Sequence, residues 1–174
     1  YVTEDGHVLA QGIAYRGGRI AKAELKEYQA YGDSINPLCL FQGEESSLNF
    51  TLITNNSRIL STENLYFTAV GQSTDADGNT TLTMRLHTNI EDCYMDVVYT
   101  LPADDYMVSM SIQPHNMQWA LAQNMAALEM HWNQLIPQQE KGRKFEEKYA
   151  QLQYMFVGGD IEKLSEVKAD RAKE

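Results

Sequence analysis

Four histidines and two cysteines are the side chains of this 174-residue sequence best suited to metal ligation or nucleophilic chemistry. The histidines show neither H-x-H nor H-E-x-x-H spacing, the patterns that bring two imidazoles to one metal ion. We therefore predict that they occupy polar faces of strands and bind no metal. They are His7, His87, His115 and His131.

The two cysteines, Cys39 and Cys93, are far apart and have no Cys or His at ligand spacing beside them. Each is predicted to pack as a small apolar residue. A disulfide between them stays open, because both lie in strand-like runs and an oxidising compartment would permit it.

Two adjacent carboxylate pairs, Glu91-Asp92 and Asp104-Asp105, raise the question of calcium binding or general acid catalysis. Neighbouring residues on a strand point to opposite faces, whereas an acid/base pair must converge on one substrate, so we predict that both pairs solvate turns. Gly17-Gly18 lacks the pattern of a phosphate loop and predicts a tight turn. The sequence thus predicts no catalytic, cofactor-binding or metal-binding residue, no cofactor and no enzyme.

Charge narrows the classes of partner. The chain carries a net charge of -10, which repels nucleic acid and anionic lipid. The first 136 residues hold 16 acidic and 6 basic side chains, whereas residues 137–174 hold 8 of each. We therefore expect an acidic body followed by a neutral, charge-dense C-terminal segment, with no nucleic-acid partner.

Alternating apolar residues predict the strands of the fold. Six runs have apolar residues at every second position, which predicts half-buried strands. Turn residues separate them, including Gly17-Gly18, Asp77-Gly78-Asn79 and the segment 101–105. The runs contain Leu48, Phe50 and Leu52; Leu65, Phe67 and Ala69; Leu82, Met84 and Leu86; Cys93, Met95, Val97 and Tyr99; Tyr106, Val108, Met110 and Ile112; and Leu128, Met130 and Trp132.

Such spacing of strands predicts a mostly antiparallel sandwich. The segment 116–125 has helical spacing within strand-like surroundings and is predicted to be a loop or a short helical turn. After Pro137, we expect a short helical turn within 138–148 and a last strand over 152–157. Asp160 is predicted to cap a helix running to residue 174, with Ile161, Leu164 and Val167 on one side.

Five segments follow one another in a fixed order along the chain. They are YRGGRI at 15–20, AELKEY at 23–28, NLYFT at 64–68, YTLPADDYMV at 99–108 and PQQEK at 137–141. Their order resembles the large periplasmic domain of the YidC membrane protein insertases, in the form found in Bacteroidetes. The resemblance covers nearly the whole chain, and its motifs are structural.

The resemblance implies a mainly β fold, an antiparallel β-supersandwich similar to galactose mutarotase, with a short C-terminal helix. It implies one periplasmic domain over 1–174, a fragment of a longer domain, with an acidic strand-rich body at 1–136 and the charge-dense segment at 137–174. The domain would be a non-catalytic interaction and scaffold module of a multi-pass inner-membrane protein that inserts and helps to fold membrane proteins, alone or with the Sec translocon. Its partners would be Sec components and nascent membrane proteins, and its membrane contacts would come from missing transmembrane segments.

Two other functions stay open. A carbohydrate-binding or mutarotase-like sandwich would stack Trp119 on sugar rings, although no stretch matches the histidine motif of the sugar epimerases. A lipoprotein or adhesin-like surface module is the other. Tyr28, Tyr31, Tyr149 and Tyr154 lie beside polar residues, which is typical both of protein interfaces and of ordinary strand ends.

Overall fold

A computed structural model of the chain describes residues 9–10, 16–32, 35–43, 46–149 and 151–164. In these residues the fold is mainly β, with several antiparallel sheets and a short helix in the C-terminal part, which confirms the predicted fold class. The chain divides into two compact units, Tyr1–Pro137 and Gln138–Glu174. The single domain expected over 1–174 stays a prediction.

The first unit is built from strands joined mostly by short turns. Their bounds are β1 (Leu9–Ala10), β2 (Lys22–Leu25), β3 (Leu38–Gln42), β4 (Ser46–Ile53), β5 (Ile59–Ser61), β6 (Thr68–Thr74), β7 (Thr80–His87), β8 (Tyr94–Leu101), β9 (Ser109–His115) and β10 (Glu129–Gln134). They form three antiparallel sheets with the strand orders β1-β2-β3, β10-β4-β5 and β6-β7-β8-β9. Short 3-10 turns at Thr62–Asn64 and Met117–Trp119 interrupt this pattern.

The core lies against one face of the four-stranded sheet. Alternate residues of β7 face alternate residues of β8 in register, so their side chains share that face. The pairs are Leu82 with Tyr99, Met84 with Val97, and Leu86 with Met95. Leu52 of β4 belongs to the same buried cluster, so the sheet containing β4 packs against the four-stranded one, as a sandwich requires.

Several predicted strands need correction at their ends. The strand predicted from Leu65 begins only at Thr68, because the backbone at Thr62–Asn64 forms a 3-10 turn that Leu65 closes through its N–H. Phe67 is buried as expected, but every residue of β6 is exposed. Likewise β9 begins at Ser109, after Tyr106 and Val108, because Asp105 accepts a hydrogen bond from the Met107 N–H and extends the turn.

The burial predicted for the last strand of the first unit was wrong. β10 forms and pairs with β4, yet Met130 and Trp132 are 52% and 68% exposed. The alternation of apolar residues placed these two side chains correctly on one face of the strand. That face is not covered at this end of the sheet by the residues that the structure describes.

Other local predictions are confirmed. The segment 77–79 lies in the hairpin turn between β6 and β7, and residues 102–108 connect β8 to β9. The segment 116–125 contains the 3-10 turn Met117–Trp119. Gly17-Gly18 forms a turn, in which Gly18 has a φ of +61° and its carbonyl oxygen accepts a hydrogen bond from the buried Tyr99 hydroxyl at 2.9 Å.

The second unit contains the helix α1 (Arg143–Tyr149) and an antiparallel hairpin of β11 (Leu152–Met155) and β12 (Ile161–Leu164). The helix predicted after Asp160 is therefore wrong over 161–164. Gly158-Gly159 makes the turn of the hairpin, and the Asp160 carbonyl accepts a hydrogen bond from the Phe156 N–H. Pairing with β11 thus overrides the helix-start signal, and Val167 and the rest of that predicted helix lie outside the described residues.

Throughout the ranges described, the chain contains no helix with the length and apolar character needed to cross a membrane.

Candidate functional site

A groove of about 500 Å³ opens at one end of the first unit. Its volume falls in the range of about 300–1,000 Å³ common for ligand sites. The floor is apolar and the rim is polar. The floor is formed by Leu52, Leu60, Leu65, Leu86, Ile90, Met117, Ala120 and Leu121, and the rim by Thr54, Asn55, Asn56, Arg58, His87, Thr88 and Asn89.

The first wall of the groove is the hairpin between β4 and β5. Thr54 closes this hairpin, because its N–H donates to the Arg58 carbonyl at 2.9 Å and its hydroxyl accepts from the Arg58 N–H at 3.0 Å. The Ser57 N–H donates to the Thr54 carbonyl at 2.9 Å. These bonds fix the backbone and leave the amide of Asn56 and the guanidinium of Arg58 exposed on the rim.

The second wall is the loop between β7 and β8. The Thr88 hydroxyl donates to the Cys93 carbonyl at 2.7 Å and accepts from the Ile90 N–H at 3.1 Å. One side chain therefore ties both ends of the loop together, as Ser and Thr do in local turns. This wall contributes the apolar side chain of Ile90 and the amide of Asn89.

The third wall begins at the 3-10 turn Met117–Trp119 and ends at Leu121. Asn55 joins it to the first wall, because its backbone N–H donates to the Ala120 carbonyl and its side-chain amide donates to the Trp119 carbonyl, both at 2.9 Å. Thr54 and Leu121 form an isolated β-bridge. The groove is therefore preformed by hydrogen bonds between distant segments.

The electrostatics of the groove differ from those of the chain as a whole. The chain has a net charge of -10, but no aspartate or glutamate is among the described residues that line the groove. Arg58 is its cation, and within the described part of the chain no ion pair or hydrogen bond engages the Arg58 guanidinium. Glu91 and Asp92, on the loop that forms the second wall, are exposed and line an adjoining hollow instead. Within the groove itself, Arg58 therefore favours apolar groups accompanied by negative charge.

The opposite, outward face of the four-stranded sheet is polar. Arg85 of β7 forms a bidentate ion pair with Asp96 of β8, at 2.7 and 2.8 Å, and these hydrogen bonds raise the pKa of Arg85. The guanidinium carbon lies 3.5 Å from the centroid of the Tyr94 ring, and His115 stacks on Tyr94 at 4.6 Å. Each group has its partner within this face, so the stack stabilises the sheet.

The predicted polar-face positions of the histidines are confirmed for the three that the structure describes. His87 and His115 lie on the outward face, where each pairs in register with Tyr94. His131 of β10 hydrogen-bonds Thr51 at 3.2 Å and lies 3.6 Å from the Glu129 carboxylate. The described residues contain no group of three His, Cys, Asp or Glu side chains placed to hold a metal, and His7 lies outside them.

The carboxylate pairs and Cys93 lie where the sequence predicted, whereas Cys39 is half-buried in β3 and lies outside the buried core cluster. Glu91-Asp92 is exposed in the turn between β7 and β8, and Asp104-Asp105 is exposed in the connection to β9. Both cysteines are free thiols. Cys93 is 2% exposed within the core, and its thiol donates to the Asn116 carbonyl.

The aromatic residues proposed for contacts remain outside the groove lining. Trp119 is 49% exposed beside the groove, but only its backbone carbonyl is tied to the rim. Tyr28, Tyr31 and Tyr149 are exposed, and Tyr28 meets Tyr106 edge-to-face at 6.2 Å. Their role in an interface, and that of Tyr154, stays a prediction.

Sequence reasoning missed the groove and its cation. Arg58 follows Asn55-Asn56-Ser57, a run typical of turns, so its place near the tip of a hairpin could have been found. The nearness of Arg58 to Ile90 and Leu121 could not have been found from the sequence, because those residues lie far along the chain.

The chain is thus an antiparallel β protein with a preformed, apolar-floored groove at one end of its first unit. The sequence model of the family described as "YidC periplasmic domain" matches residues 2–174. The chain belongs to the YidC periplasmic domain family, as its resemblance predicted.

Three relatives illustrate the similarity, and each is named membrane protein insertase YidC. The protein of Parabacteroides distasonis is 45% identical over 170 residues, that of Azobacteroides pseudotrichonymphae 41% and that of Bacteroides fragilis 35%. Each alignment covers 98% of this chain, and the chain spans 26% of each relative's length. No solved structure matches the chain.

Proposed function

We propose that this chain is a non-catalytic interaction and scaffold domain of a YidC-type insertase at the periplasmic face of the bacterial inner membrane. There it binds segments of membrane proteins during their insertion and assists their folding. The observation that carries this proposal is the preformed groove, in which an apolar floor is surrounded by amide and hydroxyl groups. A surface of this kind holds an unfolded segment without covalent chemistry.

Family membership supports the assignment to an insertase, because the relatives carry that name. The net charge of -10 repels anionic headgroups within a Debye length of about 8 Å, so at this location the domain would stand clear of the lipid surface. Cooperation with the Sec translocon belongs to the same proposal. It rests on the family resemblance alone, and contacts with the membrane would be made by other parts of the insertase.

The sugar-processing alternative finds less support in the groove. Sugar epimerases of the mutarotase fold need a carboxylate base opposite histidine in a cleft. The described lining of the groove contains His87 without a carboxylate, and Glu91 and Asp92 lie near His87 only in a more open hollow beside the groove. We therefore do not propose catalysis on carbohydrates.

A chimeric insertase tests the proposal. This chain replaces the matching 170 residues of the Parabacteroides distasonis insertase, and a photo-crosslinking amino acid replaces Asn56 on the rim of the groove. Illumination during synthesis of membrane proteins should give adducts with those proteins. The matched control carries the same group at Gln113, on the outward face of the four-stranded sheet, and should give few adducts.

Equal adduct yields from the two positions would overturn the proposal, because the groove would then have no preference for clients over any other surface. A second reading of the same gels concerns Sec. Adducts with Sec components from either position would support cooperation with the translocon, and their absence from both would remove that part of the proposal.

A further inference from the structure

We propose that the groove recognises an extended peptide segment that combines apolar side chains with an aspartate or glutamate, whose carboxylate pairs with Arg58. This inference rests on the proposed function and names the chemistry of the segment that the groove takes. The recognised feature is an internal acidic side chain, not a free chain terminus.

The apolar half of the recognition follows from burial. Leu52, Leu86 and Met117 are almost fully buried at the base of the groove, whereas Leu60, Ile90 and Leu121 are half-buried along its sides. The half-buried side chains still have apolar surface to cover. Burying apolar area contributes about 25 cal/mol per Å², so apolar side chains of a peptide gain most by lying here.

The acidic half follows from charge. Arg58 is exposed on the rim, its guanidinium has no partner in the described part of the chain, and no described carboxylate lines the groove. A lysine or arginine brought into the groove would therefore meet Arg58 as a like charge. A carboxylate would instead form a charge-assisted hydrogen bond with the guanidinium.

The polar rim supports an extended peptide over a compact ligand. Asn55, Asn56 and Asn89 come from two walls. The Asn55 amide already donates to the Trp119 carbonyl, and the Asn56 amide oxygen accepts from the Thr54 hydroxyl. Within the described part of the chain, the Asn55 amide oxygen, the Asn56 amide N–H groups and the whole Asn89 amide therefore stay open to a peptide backbone. The walls are tied by hydrogen bonds, so little ordering accompanies binding.

Segments poor in lysine and arginine are the ones that an insertase would present to its periplasmic side. Lysine and arginine are enriched in the loops of membrane proteins that stay in the cytoplasm, so translocated segments are poor in cations. A groove that disfavours cations and accepts carboxylates would therefore bind translocated segments in preference to cytoplasmic loops.

Binding of defined peptides to the 174-residue chain tests the inference. The probe is a fluorescent octapeptide, blocked at both ends, with leucines flanking a central glutamate and serines elsewhere. Matched peptides carry lysine or glutamine in place of the glutamate. Anisotropy titrations should show the glutamate peptide binding at least tenfold more tightly than the lysine peptide.

Two variants test whether Arg58 causes the preference for the glutamate peptide. Arg58→Gln should reduce the preference for glutamate over lysine to less than twofold and leave binding of the glutamine peptide unchanged. The Arg58 side chain makes no hydrogen bond that holds the hairpin, so this variant keeps the fold. Lys26→Gln removes the same charge away from the groove lining and should keep the preference.

Equal affinity for the three peptides, or a preference that persists in Arg58→Gln, would overturn the inference. A glutamine peptide with a free C-terminal carboxylate serves as a further probe. If it binds more tightly than the blocked glutamate peptide, and does so through Arg58, the groove captures chain ends and the internal-carboxylate assignment is wrong.

The two proposals can fail separately. If position 56 gives adducts with membrane proteins but the peptides show no preference for glutamate, the proposed function stands and the recognition of a carboxylate by Arg58 is wrong. Preferential binding of the glutamate peptide without adducts in cells would leave the chemistry of the groove and remove the function.

Discussion

Gly18 connects the turn near the start of the described chain to the core. A Cβ atom built there would lie 2.7 Å from Cγ of the buried Phe67 ring, and the φ of +61° is unfavourable for any residue with a side chain. We expect Gly18→Ala to lower the free energy of unfolding by about 3 kcal/mol, the sum of backbone strain and overpacking. Urea denaturation of the purified chain measures the change.

Gly32→Ala is the matched control for this prediction. Gly32 also has a positive φ, +86°, but nothing lies within 4 Å of a Cβ built there. It should lose only about 1 kcal/mol, the cost of the left-handed backbone. Equal losses at the two positions would show that contact with Phe67 is unimportant.

Tyr99 makes the stability of the first unit depend on pH. Burial raises the pKa of its hydroxyl from 10.0 to about 12, because the phenolate would lose its water. The folded chain therefore holds this proton more tightly than the unfolded chain does. The contribution to stability is complete below pH 10 and is lost as the pH rises towards 12.

We expect Tyr99→Phe to remove this part of the pH dependence. In the unsubstituted chain, Tyr99 should account for a loss of roughly 1 kcal/mol between about pH 9 and about pH 11. At neutral pH the variant should be less stable by about 1–2 kcal/mol, because the Gly18 carbonyl loses its donor. Denaturation curves at several pH values compare the two proteins, and parallel pH profiles would contradict the assignment.

At the scale of the element, alternation of apolar residues was sufficient to find the strands β4, β7, β8 and β10. It could not give the true start of β6, because the 3-10 turn at Thr62–Asn64 depends on contacts outside the run. At Asp160 the local sequence instead predicted a helix where the structure has the strand β12. An aspartate after two glycines has the same local signature before a helix and in a hairpin, and only pairing of β12 with β11 decides between them.

The ion pair of Arg85 and Asp96 is expected to stabilise the sheet β6-β7-β8-β9, and a substitution can test this. The Asp96 side chain is mostly buried, so Arg85→Thr leaves its carboxylate without its main partner. We expect a loss of about 2 kcal/mol in the free energy of unfolding. Thermal or urea denaturation, with circular dichroism as the signal, measures it.

The double variant Arg85→Thr with Asp96→Val is the control. It copies the neighbouring cross-strand pair Thr83 and Val98 on the same face. Removing both charges should restore most of the lost stability, because no unpaired carboxylate remains. A double variant as unstable as the single one would show that the loss has a cause other than the unpaired charge.

At the scale of the whole chain, composition narrows the expected class of partner but does not indicate a site. The charge of -10 disfavoured nucleic acid, and the absence of catalytic spacing favoured a binding role. The groove itself required the fold. Its walls come from residues 54–58, 88–90 and 117–121, and their meeting depends on β4 packing against the four-stranded sheet.

The relatives are named membrane protein insertases and are almost four times as long as the chain. Under the proposed function, we expect the chain to hold a translocated segment briefly while other parts of an insertase carry out insertion. Weak, reversible binding suits that task better than tight binding.

Amide chemical shifts of the isotope-labelled chain, recorded during titration with the blocked glutamate peptide, show whether the groove binds the peptide. We expect the shifts to change at Asn55, Arg58, Ile90 and Leu121, and to stay constant at Gln113 on the outward face. Changes confined to the outward face or to the exposed strand β10, with none at the groove, would contradict this expectation.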